Sequence, residues 1–311
     1  MGKTSSKCDE RRMSKMAIRT DLALEARTLW QESVGKTSEL AGVKAREFQL
    51  QGLDVTEVQI LDEQGAEALQ KPVGRYLTLE IENDHRREEA KLNQASEALA
   101  QTLESLLRLE RTDQVLVVGL GNPAVTPDAL GPKTLNYVLV TRHLIEQMPE
   151  QFSMFRPVSA LAPGVLGTTG LESVEVVRGV IEHAAPTHVI VIDALASRDP
   201  ARVCSTIQLA DTGIVPGSGI GNSREAFNRQ SLGVPVIAVG VPTVVDAATL
   251  VTDYLERNGL QAPEDSLRRG LVVTPSDIDA KIGRMARILG LGISRALHPE
   301  LTIAEIQNCL G

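Results

Sequence analysis

Positions 1–21 are polar and rich in charge, with no repeating apolar position, so they read as an arm rather than as part of a core. From Leu22 the pattern "LALEARTLW" turns helical, and "AREFQLQGLDVTEVQILD" and "RYLTLEIE" then alternate apolar and polar residues as strands of a sheet edge or flap do. Between Arg86 and Arg111 the apolar positions Ala90, Leu92, Ala98, Leu103, Leu106 and Leu107 recur at helical spacing with charges between them, which predicts a helix packed on a sheet. Beyond this the pattern changes. Short, fully apolar runs bounded by turn residues take turns with helical segments. "QVLVVGLG" (Gln114–Gly121), "THVIVIDAL" (Thr187–Leu195), "GVPVIAVGV" (Gly233–Val241) and "GLVVTPSD" (Gly270–Asp277) read as central strands buried on both faces. Helices are predicted over Lys133–Gln147, Leu171–Ala184, Val244–Asn258, Ser276–Leu297 and Ile303–Leu310. The expected fold is α/β: a mostly parallel central sheet with helices on both faces, and an N-terminal β-rich insertion or flap, with residues 40–85 as a candidate subdomain.

In an open α/β sheet the ligand crevice lies beyond the carboxyl ends of the strands, and two of these ends carry acids. Asp128 follows the first apolar run in "VGLGNPAVTPDALGP", and Asp193 closes "VIVID". Each has two readings at this point. Asp128 serves as a turn or helix cap, or does chemistry; Asp193 accepts loop amides, or does chemistry. If the two strands are neighbours, both carboxylates face one crevice.

Composition narrows the chemistry. The 311 residues are enough for one large α/β domain or two smaller ones. With 40 acidic against 32 basic residues the net charge is -8, which disfavours direct binding to nucleic-acid phosphates. Cys8, Cys204 and Cys309 are far apart and lack CxxC spacing, so neither a disulfide framework nor a zinc knuckle is indicated, and a reducing, cytoplasmic setting fits. No apolar stretch is long enough to span a bilayer, and no secretion signal is visible at the N-terminus. "GLGN" is not GxGxxG, "GSGIG" at Gly217–Gly221 lacks a following Lys-Ser/Thr, and there is no GxSxG elbow. The histidines are His85, His143, His183, His188 and His298. Those nearest a strand, His183 and His188, stand at its wrong end for the crevice, so a site of two Asp and a His for a metal is poorly supported, and no cofactor is expected.

The segments "VVGLGNPAVTPDALGP", "VIVIDALASR", "GSGIGNSR", "VIAVGVPTVVDA" and "IRTDLALEA" together resemble the germination proteases of spore-forming Firmicutes, over nearly the whole chain. A more distant likeness joins "GLGN…D…G" and "ID" to hydrogenase maturation peptidases, which keeps a metal-dependent peptidase of the same fold as the alternative. The first resemblance implies an atypical aspartic endopeptidase, made as a self-processing zymogen, that degrades small acid-soluble spore proteins during germination. It further implies a homotetramer in the forespore and spore core. Its catalytic acids fall on Asp128 and Asp193, the pair that the strand-end argument selects. Its processing site falls on "RTDLALE", between Asp21 and Leu22, making residues 1–21 a pro-segment and 22–311 the peptidase domain. Amides at the start of the helix after Pro132, with Lys133 beside them, are candidates to stabilise charge on a carbonyl oxygen. Gly217, Gly219 and Gly221 are candidates to let a loop approach an extended substrate, and serve equally well as a surface turn.

Overall fold

The computed structural model describes residues 19–34, 40–81, 88–221, 224–260 and 270–311. Most of the predicted pro-segment, residues 1–18, and the last residues of the candidate β-rich subdomain, 82–85, lie outside these.

Nine strands form one sheet: β1 (Val43–Leu50), β2 (Leu53–Ile60), β3 (Gly74–Glu80), β4 (Val115–Gly119), β5 (Val158–Leu161), β6 (His188–Ser197), β7 (Thr206–Ala210), β8 (Val236–Asp246) and β9 (Val272–Val273). Their order is β1-β2-β3-β7-β8-β6-β4-β5, with β9 paired to the end of β8. Among the described residues, six helices have eight residues or more: α1 (Ala23–Val34), α2 (Glu88–Leu106), α3 (Ser173–Ala184), α4 (Ala247–Arg257), α5 (Ile278–Leu297) and α6 (Ile303–Leu310).

The sheet is mixed, which corrects the mostly parallel expectation. Only β8–β6, β6–β4 and β4–β5 are parallel. Connection length explains the rest. β1 and β2 are joined by Gln51 and Gly52 alone, both at positive φ (51° and 74°), a geometry that forces an antiparallel hairpin. β7 begins only nine positions after β6 ends, too short a link for a parallel crossover, and it runs antiparallel to both β3 and β8. β1–β3 therefore continue the same sheet through β7. The run "GLVVTPSD" is not a central strand. β6 and β7 already flank β8, so only Val272 and Val273 pair, and Leu271 and Val273 stay exposed.

Alternation along the central strands divides their side chains between two layers. Val115, Val117, Ile190, Ile192, Val239 and Val241 point into the core under α2, α5 and α6. Leu116, Val118, Val189 and Val191 point the other way, toward Val174 and Val177 of α3. Each of these fully buried side chains contributes roughly 1.5–3 kcal/mol of transfer free energy. The helix predicted over Lys133–Gln147 is broken into Leu130–Thr134, a 3₁₀ turn at Leu135–Tyr137, and Arg142–Gln147. Between the pieces the amide of Leu139 donates to Ser294 Oγ of α5 and that of Val158 to Thr141 Oγ1, so tertiary hydrogen bonds replace helical ones. β8 runs further than predicted, to Asp246, whose carboxylate caps α4 at the amide of Thr249.

Candidate active site

β4 and β6 are adjacent and parallel, with Val118 beside Val191 and Gly119 beside Ile192. The chain leaves β4 toward β5 on one side and leaves β6 toward β7 and β8 on the other, so the carboxyl ends of β4 and β6 open onto a switch point of the sheet. Asp193 continues the row of Val189 and Val191 and is 5 % exposed. Asp128 ends a 3₁₀ turn, Thr126–Asp128, in the loop after β4. The turn is fixed by tight backbone packing. Gly121 has φ 116°, and a Cβ there would sit 1.9 Å from the carbonyl oxygen of Asp128. The amide of Asn122 donates to Asp128 Oδ2 at 2.7 Å.

Both acids line one cavity of about 450 Å³, together with Asp21, Gly217, Gly219 and Phe227. Burial pushes the Asp193 carboxyl well above the usual carboxylate range. The charge of Asp128, and then that of Asp21, push it the same way, while the Ala194 amide on Oδ1 opposes them. Burial also raises Asp128, against the amide of Asn122. Two coupled carboxyls of this kind hold a proton at pH values where an exposed aspartate would not.

The residues around the predicted processing site are held against the same strand ends. The amide of Asp21 donates to the carbonyl of Ala196 (2.9 Å), and the Ala196 amide returns a bond to Asp21 Oδ2 (2.9 Å). Ser218 Oγ donates to Asp21 Oδ1 at 2.7 Å. Gln208 Nε2 donates to the Asp21 carbonyl (3.0 Å), and Gln208 Oε1 accepts from the amide of Ala23 (2.7 Å), so one side chain spans the Asp21–Leu22 peptide bond. Leu22 is fully buried, and its amide donates to Thr20 Oγ1, which in turn bonds the carboxylate of Glu25. Burial raises Glu25, opposed by Thr20, the amides of Arg198 and Asp199, and the charge of Arg202.

The sequence model described as germination protease matches residues 23–258. The chain belongs to the germination protease family. It is 43 % identical over 324 aligned residues to the germination protease of Caldanaerobacter subterraneus subsp. tengcongensis, covering 95 % of this chain and 98 % of that one. To the germination protease of Clostridium tetani it is 40 % identical, covering 95 % and 100 %. To that of Bacillus licheniformis it is 44 % identical over 84 % of this chain and 73 % of the relative. Membership makes the chain a peptidase.

Not every predicted site residue gathers there. The helix near Lys133 starts at Leu130 rather than after Pro132, and Lys133 is absent from the residues lining the cavity. Lys133→Met is therefore expected to leave turnover within about twofold of the parent, measured as the rate of cleavage of a protein substrate. Gly221 does not line the cavity either; a Cβ there would meet the guanidinium of Arg19 at 2.1 Å. The sequence reading missed Ala196, Gln208 and Ser218. Only the polar Gln208 inside the apolar run "TIQLA" carries a signal for its position. Among the described residues, no three His, Cys, Asp or Glu side chains converge as a metal-binding group, and no helix is long and apolar enough to cross a membrane.

Proposed function

We propose that this chain is an aspartic endopeptidase in which Asp128 and Asp193 share a proton and activate water. The reading rests above all on one observation: two neighbouring strand ends bring both acids into a cavity that also holds Asp21. The ionised member draws a proton from the attacking water. The protonated member hydrogen-bonds the scissile carbonyl and then helps protonate the departing amine. Peptide plus water gives a carboxylate and an ammonium group, and the pair returns to its one-proton state.

The enzyme is made as a zymogen that cuts itself between Asp21 and Leu22 and releases residues 1–21. Its substrates are the small acid-soluble spore proteins broken down at germination, and it works as a homotetramer in the forespore and spore core. A net charge of -8 keeps such an enzyme from competing with those proteins for DNA. N-terminal sequencing of the processed chain is expected to begin at Leu22; any other start overturns the assignment of the processing site. Processing and substrate cleavage are expected to continue in a chelator. Their loss on chelation, with recovery on adding back a divalent metal, would favour the metal-dependent alternative.

A further inference from the structure

Leu22 and Glu25 share one hydroxyl. Thr20 Oγ1 accepts from the Leu22 amide at 3.0 Å and donates its own proton to Glu25 Oε2. The Arg198 amide gives Oε2 a second donor (2.7 Å), while the Asp199 amide (3.0 Å) and the Arg202 guanidinium (3.5 Å) meet Oε1. Among the described residues each oxygen thus has two partners, as suits a carboxylate buried this deeply. A cut between Asp21 and Leu22 upsets this balance at both ends. Thr20 leaves with the pro-segment, and Oε2 loses a donor. At the same moment the Leu22 nitrogen turns from an amide with one proton into an ammonium with three. The place is hostile to positive charge: Leu22 is fully buried, and α1 begins at Ala23, where the helix dipole presents its positive end. Lys71 and Arg202 already bring positive charge to Glu25. An unpaired ammonium here is strongly unfavourable, and Glu25, the acid in the first turn of α1, stands one hydroxyl away. The backbone carrying the two groups is fixed by bonds that the cut does not touch, from the Ala26 amide to the Leu22 carbonyl (3.0 Å) and from the Ala23 amide to Gln208 Oε1 (2.7 Å).

We propose that Glu25 receives the amine that self-processing releases: the Leu22 ammonium takes the place of Thr20 on Oε2 and latches the new chain end to the first turn of α1. The proposal rests on the processing reading above and adds the fate of the amino product. In the cut, the oxygen of water goes to the Asp21 carbonyl carbon, the C–N bond breaks, and both protons of water end on the Leu22 nitrogen, giving a carboxylate and an ammonium. An amine held protonated has no free electron pair, so it cannot attack the Asp21 carboxyl and remake the bond. Leu22 is not among the residues lining the cavity, and its pairing with Glu25 keeps the new end from entering it. The cavity is left to the next peptide.

The test follows the titration of that amine in protein that has processed itself to completion. Its acylation by acetic anhydride is measured against pH, by mass spectrometry of the N-terminal peptide; only the neutral amine reacts. The charged groups around it are Glu25 on its own helix, and Lys71 and Arg202 from the elements packed against it. Burial and the two cations lower its midpoint, and Glu25 raises it. The parent is expected to titrate a unit or more above the ordinary α-amine range of about 7.7–8.0, which slows acylation at pH 7 about tenfold. Glu25→Gln is expected to bring the midpoint into that range or below it. A parent midpoint short of the expected rise overturns the latch, a result that needs no variant. An equally raised midpoint in Glu25→Gln overturns it as well, since another group then holds the amine. A first residue other than Leu22 sinks the processing reading and the latch together, whereas a Leu22 start with an ordinary midpoint sinks the latch alone.

Discussion

Asparagine at position 193 is expected, on the mechanism proposed above, to stop both self-processing and substrate cleavage, with a loss of about 10²–10⁴-fold or more, and asparagine at 128 to do the same. The amide is nearly the same size as the acid, so the cavity keeps its shape and loses only the exchangeable proton. Combining the two changes should cost little beyond either alone, because in the proposed mechanism the acids act as a unit. Neither side chain can be replaced by raising or lowering pH. In the parent the one-proton state of the pair disappears as pH rises through the elevated Asp193 value, so cleavage should fall on the alkaline side earlier than an ordinary carboxylate pair would require. On substitution of Asp193 by Asn, stability should move in the opposite direction from activity. The folded Asp193 carboxyl titrates above its ordinary 3.8, so the folded chain holds an extra proton between those two values and loses stability as pH rises through that window. Asp193→Asn removes this cost. Thermal melts should show the variant more stable than the parent at neutral pH, and the difference should vanish below the ordinary carboxylate value, where both states of the parent are protonated. A variant that is inactive and also less stable at neutral pH would show that Asp193 holds the fold together, and would remove the reason for calling it a tuned acid.

Gly121→Ala should disable the site by a different route. The substitution forces a Cβ into a φ of 116° and toward the Asp128 carbonyl, 1.9 Å from where it would sit. Strain of this sort costs on the order of 1–3 kcal/mol, and the loop escapes it by shifting Asp128 and breaking the bond from the Asn122 amide. A displacement of about 1 Å at a reacting group costs roughly 10²-fold in rate. The expected result is a folded chain, with a slightly lower melting point and, on the proposed mechanism, self-processing slowed about 100-fold. Near-parental processing would mean that the loop after β4 tolerates displacement and that Asp128 need not be held in register.

Both acids could be found in the sequence because they sit at the ends of β4 and β6, whose unbroken apolar runs announce central strands. What failed was pairing. β7 is only five residues long and interrupts its apolar pattern with Gln208, so periodicity gave it no voice. Without β7, the antiparallel half of the sheet could not be joined to the parallel half. β5, four residues at the sheet edge, was lost for the same reason. The apolar run at Leu271–Val273 looked central because sequence alone cannot tell that both sides of β8 are occupied. The residues around Asp21 were out of reach for a further reason: Gln208 and Ser218 meet it across 187 and 197 positions of chain, a separation over which no local pattern carries information.

An open sheet of nine strands has two free margins, and each is an invitation to pair with another chain. One margin is β1, whose outward residues include Lys44, Arg46 and Glu47, so a second strand laid against it would bury charge. The other is β5, whose four residues offer too few free amides and carbonyls to hold a partner. Among the described residues, the ends of this strand order are thus one charged strand and one very short one, which protects a long sheet from growing into aggregates.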